Sequence, residues 1–200
     1  MSKPLLVGVT GGIGSGKSMV CKILSSLGVP VYYADDRAKA LYIEDEELKV
    51  VIIDLFGEES YVNGQLNRAY LAERVFNDKD ELAKMNALVH PAVAKDFEAF
   101  VERHADSQLI LKEAALLYET GSYQSLDKTI AVLANKELRI KRVLLRDPQR
   151  SAEQVNGILE KQTSDNQRKK LADFIVRNDE QEMLIPQVMK IYNELLGLSS

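Results

Sequence analysis

The chain has 200 residues, 46% of them hydrophobic and 28% charged, with a net charge of −4; this composition builds a core and excludes a disordered or fibrous protein. Acidic residues gather from Glu44 to Glu47 and basic ones between Lys136 and Arg150, so no nucleic-acid partner is expected overall. A single cysteine, Cys21, allows no intrachain disulfide, no apolar run reaches membrane length and no leader pattern opens the chain, so a cytoplasmic protein without a membrane partner is expected.

In chain order, Leu5-Leu6-Val7-Gly8-Val9 is short, apolar and β-branched, which predicts a strand buried on both faces. Val20, Ile23, Leu24 and Leu27 then recur at helical spacing. Between them stands Gly11-Gly12-Ile13-Gly14-Ser15-Gly16-Lys17-Ser18, which satisfies G-x-x-x-x-G-K-[ST] in the strand, loop and helix setting the motif requires. The glycines let successive N–H groups turn into one concavity, and the helix opening near Gly16 adds its positive end, so phosphate oxygens are held by both. Lys17 then reaches the β and γ phosphates of a nucleoside triphosphate, and Ser18 offers its hydroxyl to Mg²⁺. A dinucleotide or protein-kinase loop needs G-x-G-x-x-G, and both possible frames here lack the last glycine.

Gly28 follows the first helix as its cap, and Val29 to Ala34 predicts a second strand ending at Asp35-Asp36. A short helix is expected from Arg37 to Tyr42, and another from Asp45, with Leu48, Val51, Ile52 and Leu55 at helical spacing and Gly57 as its end. Asn63-Gly64 marks a turn within Tyr61 to Leu66. Asn67 can cap a helix containing Leu71, Val75 and Phe76; a second is expected from Asp80 to Val89, stopped by His90-Pro91, and a third from Ala92 to Arg103. Strand signals return at Leu109 to Leu111, Thr129 to Leu133 and Phe174 to Val176, with arginine-rich helices between the last two. A final helix over Asp179 to Leu196 places Leu184, Val188, Ile191 and Leu195 on one face. The pattern predicts an α/β parallel sheet flanked by helices, interrupted by a helical insertion at 57–106 and a basic helical segment at 139–172.

Phosphate loops serve switches and small-molecule kinases alike. A regulatory GTPase needs D-x-x-G and N-K-x-D; Asp54 to Gly57 lies in a helical pattern, and Leu138 stands where the guanine-reading carboxylate belongs. A kinase needs a carboxylate near the acceptor hydroxyl and cations over the transferring group. Asp35, at the end of the second strand, suits the first role, and a helix N-cap is its structural alternative. Arg139, Lys141, Arg142, Arg146 and Arg150 make a basic helix that either faces solvent or supplies those cations; Arg142 and Arg146, four apart, share a face.

The stretch Val9 to Ser18, followed by Leu27-Gly28 and Ala34-Asp35, resembles the dephospho-coenzyme A kinase family. The likeness continues through Leu66-Asn67-Arg68 with Val75-Phe76, Leu88-Val89-His90-Pro91, Leu116 to Glu119, Arg146-Asp147, Gln162, and Ala172-Asp173 with Asn178. The chain departs from the family pattern at Lys39, Asn67, Ala115 and Ile158; Lys39 keeps a charge but loses the bidentate geometry of arginine.

The resemblance implies a P-loop kinase-type core over 1–56, 107–138 and 173–200, a helical acceptor-binding insertion at 57–106 and a lid at 139–172. It implies transfer of the γ-phosphoryl group of ATP to the ribose 3′-hydroxyl of dephospho-coenzyme A, with Mg²⁺, by a monomer or small homo-oligomer. Asp35 and Lys17 would be catalytic. Gly12, Ile13, Gly14, Ser15, Gly16, Lys17, Ser18, Arg142, Arg146 and Asn178 would bind ATP, with Ser18 on the metal. Thr10, Asp35, Lys39, Arg68 and His90 would bind the acceptor, although a structural role for His90 stays open. Another P-loop nucleotide or nucleoside kinase is the alternative reading, and a non-catalytic nucleotide-binding module is the alternative of a different class.

Overall fold

The computed structural model describes residues 3–76 and 78–199; the side chains of Val75 and Phe76, quoted above, lie outside the described residues. The chain divides into two compact units, one running up to Tyr33 and resuming at His104, the other spanning Ala34–Arg103.

The first unit is built on five parallel strands in the order β2-β5-β1-β6-β7: β1 (Leu5–Thr10), β2 (Val31–Tyr33), β5 (Leu109–Glu113), β6 (Lys128–Leu133) and β7 (Phe174–Arg177). Their apolar, β-branched letters read as continuous runs because the central strands are covered on both faces. On one face Val7, Val9, Leu111, Ile130, Val132 and Val176 pack with α1 (Lys17–Ser26) and α9 (Leu184–Leu198) through Val20, Leu24, Val188, Ile191 and Leu195. Burial of each such side chain contributes about 1.5–3 kcal/mol.

The last helix begins at Leu184 and not at Asp179, which keeps Pro186 in the first turn, where a missing N–H costs no intrahelical bond. Gln187 in α9 accepts the Arg177 N–H (2.8 Å) and donates to the Arg177 carbonyl (2.9 Å), occupying backbone groups of the edge strand β7. Asp173 ties β7 to β6: it accepts from the Thr129 N–H (2.8 Å), the Thr129 hydroxyl (3.1 Å) and Lys128 (3.1 Å). Burial acts to raise the pKa of Asp173, but those donors outweigh it and hold the carboxyl below its usual range.

The second unit contains α2 (Ala34–Glu44), α3 (Glu46–Phe56), a two-residue-per-strand hairpin β3 (Tyr61–Val62) and β4 (Gln65–Leu66), α4 (Arg68–Phe76) and α5 (Lys79–Arg103). Asp45 caps α3 through the Leu48 N–H (3.0 Å), Gly57 ends it, and Asn67 accepts from the Tyr70 N–H (3.3 Å) at the start of α4. Leu41, Leu48, Ile52, Phe56, Leu71, Met85 and Val89 form one core, so the helical unit takes in α2 and α3 and starts at Ala34, where the sequence suggested 57. Arg37 holds α2 to α5 with Nε and Nη2 on Asp96 (2.9 and 3.0 Å).

The second strand stops at Tyr33 and the chain enters α2 at once, so Asp35 and Asp36 lie in its first turn, and neither is its N-cap. The two helices expected around His90-Pro91 are one, α5, with Pro91 inside it. Met85, Leu88, Val89, Ala92 and Val93 form a stripe at helical spacing that runs through the proline against the same core, and this packing outweighs the helix break.

Candidate active site

β1 lies at the centre of the sheet, with β5 on one side and β6 on the other, so the loop leaving its carboxyl end opens where the strand order reverses. Gly16 (φ 94°) precedes α1, a left-handed conformation that favours glycine, and a Cβ there would meet the Asn178 amide. A Cβ on Gly12 would overlap the Arg139 guanidinium. These two glycines therefore admit the Asn178 and Arg139 side chains against the loop backbone.

Lys17 opens α1, and its Nζ donates to the Gly11 carbonyl (3.0 Å) and lies 3.8 Å from the Glu113 carboxylate. Both side chains are largely buried, at 12% and 13% exposure, so the pair is screened less than a surface ion pair. Glu113 ends β5 opposite Val9 of β1, which brings its carboxylate beside the loop. Burial first, and then Glu113, push the nearby Cys21 thiol up to about 12, with Lys17 opposing, so Cys21 stays a packed thiol. Ser18 is exposed on the first turn of α1, while Thr10 and Ser15 are buried at the foot and the bend of the loop.

The basic segment follows β6 as α6 (Lys136–Arg146), α7 (Ala152–Lys161) and α8 (Asp165–Leu171). Asn135 caps α6 by accepting the Leu138 N–H (3.1 Å), which explains the Asn-Lys letters without guanine recognition. Arg139 is buried: its Nε donates to the Ile13 carbonyl (3.0 Å) and its Nη1 to both oxygens of Asp165 (3.1 and 3.2 Å). Burial pushes its pKa down and Asp165 pulls it back, although a guanidinium stays charged throughout the working range. Arg168, also buried, meets Asp165 at 3.2 Å and Glu119 at 3.5 Å.

Arg142 and Arg146, expected over the phosphates, are engaged with protein groups here. Arg142 donates to the Asn178 carbonyl (2.9 Å) and pairs with Glu180 (3.2 Å); Arg146 is exposed and pairs with Asp147 at 2.9 Å. Asn178 reaches the loop itself, its Nδ2 donating to the Ser15 carbonyl (2.9 Å). Gln162, at the end of α7, accepts the Ile13 N–H (2.9 Å), so this amide is held by protein.

In the helical unit, Asp35 and Lys39 stand four apart on one face of α2, both exposed, with Lys39 also bonded to Asp36 (2.8 Å). Arg68 opens α4 and His90 lies midway along α5, both exposed. The structure thus gathers Gly11 to Ser18, Lys17 and Asn178 in the first unit, with Arg142 one contact away; Asp35, Lys39, Arg68 and His90 belong to the second. Three side chains at the loop were absent from the expected site: Glu113, Arg139 and Gln162. Glu113 had a signal, a carboxylate closing an apolar strand. As letters, Arg139 is one of a basic run, and Gln162 carries a family likeness with nothing local to mark its partner.

The family model described as CoaE, Dephospho-CoA kinase, matches residues 5–183. A dephospho-CoA kinase of Salinibacter ruber is 42% identical over 176 residues, which is 86% of this chain and 88% of that protein. A crystal structure of the protein TT1252 from Thermus thermophilus has a TM-score of 0.82 at 32% identity, covering 96% of this chain and 97% of that one. Dephospho-CoA kinase from Campylobacter jejuni has a TM-score of 0.70 at 28% identity and 98% coverage of each chain. With a phosphate loop at the centre of a parallel sheet, and with that likeness running through nearly all of its length, the chain belongs to the dephospho-CoA kinase family.

Proposed function

We propose that the protein transfers the γ-phosphoryl group of ATP to the ribose 3′-hydroxyl of dephospho-coenzyme A, forming coenzyme A and ADP. The observation that carries the donor half is Lys17, held at the mouth of the glycine loop between the Gly11 carbonyl and Glu113. Lys17 and the loop amides hold the β and γ phosphates and meet the charge that spreads over the transferring oxygens. The acceptor half rests on the family to which the chain belongs.

The donor set beside the loop suits Mg²⁺: the exposed Ser18 hydroxyl and the Glu113 carboxylate are hard oxygen ligands, and such sites draw the rest from phosphates and water. Ser18 and Glu113 would hold the ion, which when bound neutralises phosphate charge. Asp35 accepts the proton of the acceptor hydroxyl and orients it for attack. Lys39, Arg68 and His90, all exposed, contact the acceptor, whereas Thr10 is fully buried beneath the loop and is left out of that set; Arg142 and Arg146 move from their present partners onto the nucleotide. In this reading the helical unit carries the acceptor, residues 139–172 act as the lid, and the enzyme works in the cytoplasm as a monomer or small homo-oligomer. Incubation with Mg²⁺, ATP and dephospho-coenzyme A tests the reaction: the product should gain one phosphate at the ribose 3′ position by mass spectrometry, and an unchanged acceptor refutes it.

A further inference from the structure

The peptide bonds of the described loop are trans, so each carbonyl points opposite to the N–H of the following residue. A side chain that holds a carbonyl on one side of the loop therefore sets the direction of the next amide. Two side chains do this. Arg139 Nε takes the Ile13 carbonyl at 3.0 Å, and Asn178 Nδ2 takes the Ser15 carbonyl at 2.9 Å. We infer that Arg139 and Asn178 are positioning residues that aim the Gly14 and Gly16 amides into the phosphate cradle. This rests on the reading that the loop binds nucleotide phosphates.

The backbone just before them is fixed in the same way. The Gly12 carbonyl accepts the Ser15 N–H (3.1 Å) and the Ile13 N–H goes to Gln162 (2.9 Å), so the Gly12-Ile13 peptide is held at both ends. Each brace is itself supported. Asp165 anchors Arg139 and is shared with Arg168, which reaches Glu119; Glu119 in turn accepts the Thr163 N–H (2.6 Å). The Asn178 N–H donates to the Leu133 carbonyl (2.7 Å) at the end of β6. A donor fixed before the ligand arrives reorganises little on binding, and that is the advantage of aiming the amides from outside.

Arg139→Met and Asn178→Leu remove the two donors while keeping bulk. The measurement is calorimetric affinity for ADP and for AMP, with the melting temperature recorded alongside, because AMP lacks the β phosphate that the cradle holds. Each variant should bind ADP about tenfold or more weakly, with AMP affinity changed less than about twofold, so the preference for ADP collapses. Should Arg139→Met fail to fold, Asn178→Leu decides alone, since Asn178 is only partly buried and stands outside the Asp165 cluster. A folded Asn178→Leu protein with the wild-type ADP preference overturns the inference, whatever its melting temperature. A collapsed preference in a protein whose wild type fails to phosphorylate dephospho-coenzyme A supports the inference and overturns the proposed reaction. A wild type with no preference for ADP over AMP overturns the inference together with the reading of the loop on which it rests.

Discussion

Asp35 is exposed in the first turn of α2, two positions past the end of β2, where its carboxylate also complements the helix N-terminus. If it takes the acceptor proton, Asp35→Asn keeps the shape and loses the base: turnover should fall about a hundredfold or more, with the ATP Michaelis constant within about threefold of wild type. Steady-state kinetics in both substrates check this, and near-normal turnover removes Asp35 from the mechanism. The eight letters Gly11 to Ser18 were legible because their chemistry is local. Their supports were not: Arg139, Gln162 and Asn178 reach the loop across 126, 149 and 163 positions of sequence, and only the fold brings them there. A basic run such as Lys136 to Arg150 looks uniform as letters, yet it divides into a buried brace, a strap on Asn178 and an exposed ion pair.

Two prolines show how packing decides what a helix tolerates. Pro186 falls in the first turn of α9 and costs no bond, whereas Pro91 sits in the interior of the 25-residue helix α5, where it removes one. Reading His90-Pro91 as a stop followed the local rule; the apolar stripe from Met85 to Val93 carried the correcting information, because it keeps helical spacing through the proline. Pro91→Ala should therefore stabilise the protein by up to about 3 kcal/mol, read as a higher denaturant midpoint at unchanged slope. Asp173 gives the link between β6 and β7 a pH dependence. Its folded pKa lies below the ordinary value, so its contribution is present at neutral pH and is lost as the pH falls through about 4 towards the folded value. The melting temperature of wild type should exceed that of Asp173→Asn at pH 7, and the gap should close on acidification; a constant gap contradicts the assignment.

For the whole molecule, the strand-forming runs marked out the parallel sheet, since each is a short apolar stretch bounded by turn residues. Strand order was not legible, because identical apolar letters suit any central position. The extent of the helical unit was also hidden: α2 and α3 read as part of the sheet domain until Leu41, Leu48, Ile52 and Phe56 proved to share a core with α4 and α5. Family membership and the phosphate loop together lead to one reaction, and acceptor choice is its most exposed consequence. The direct measurement is kcat/KM with Mg²⁺ and ATP for dephospho-coenzyme A against a panel of nucleosides, nucleotides and small hydroxyl acceptors, following ADP release and the phosphorylated product. Dephospho-coenzyme A should be preferred by at least about a hundredfold, with the phosphate on its ribose 3′ oxygen. Preferential phosphorylation of any other acceptor, or ADP release that leaves dephospho-coenzyme A unmodified, would contradict it.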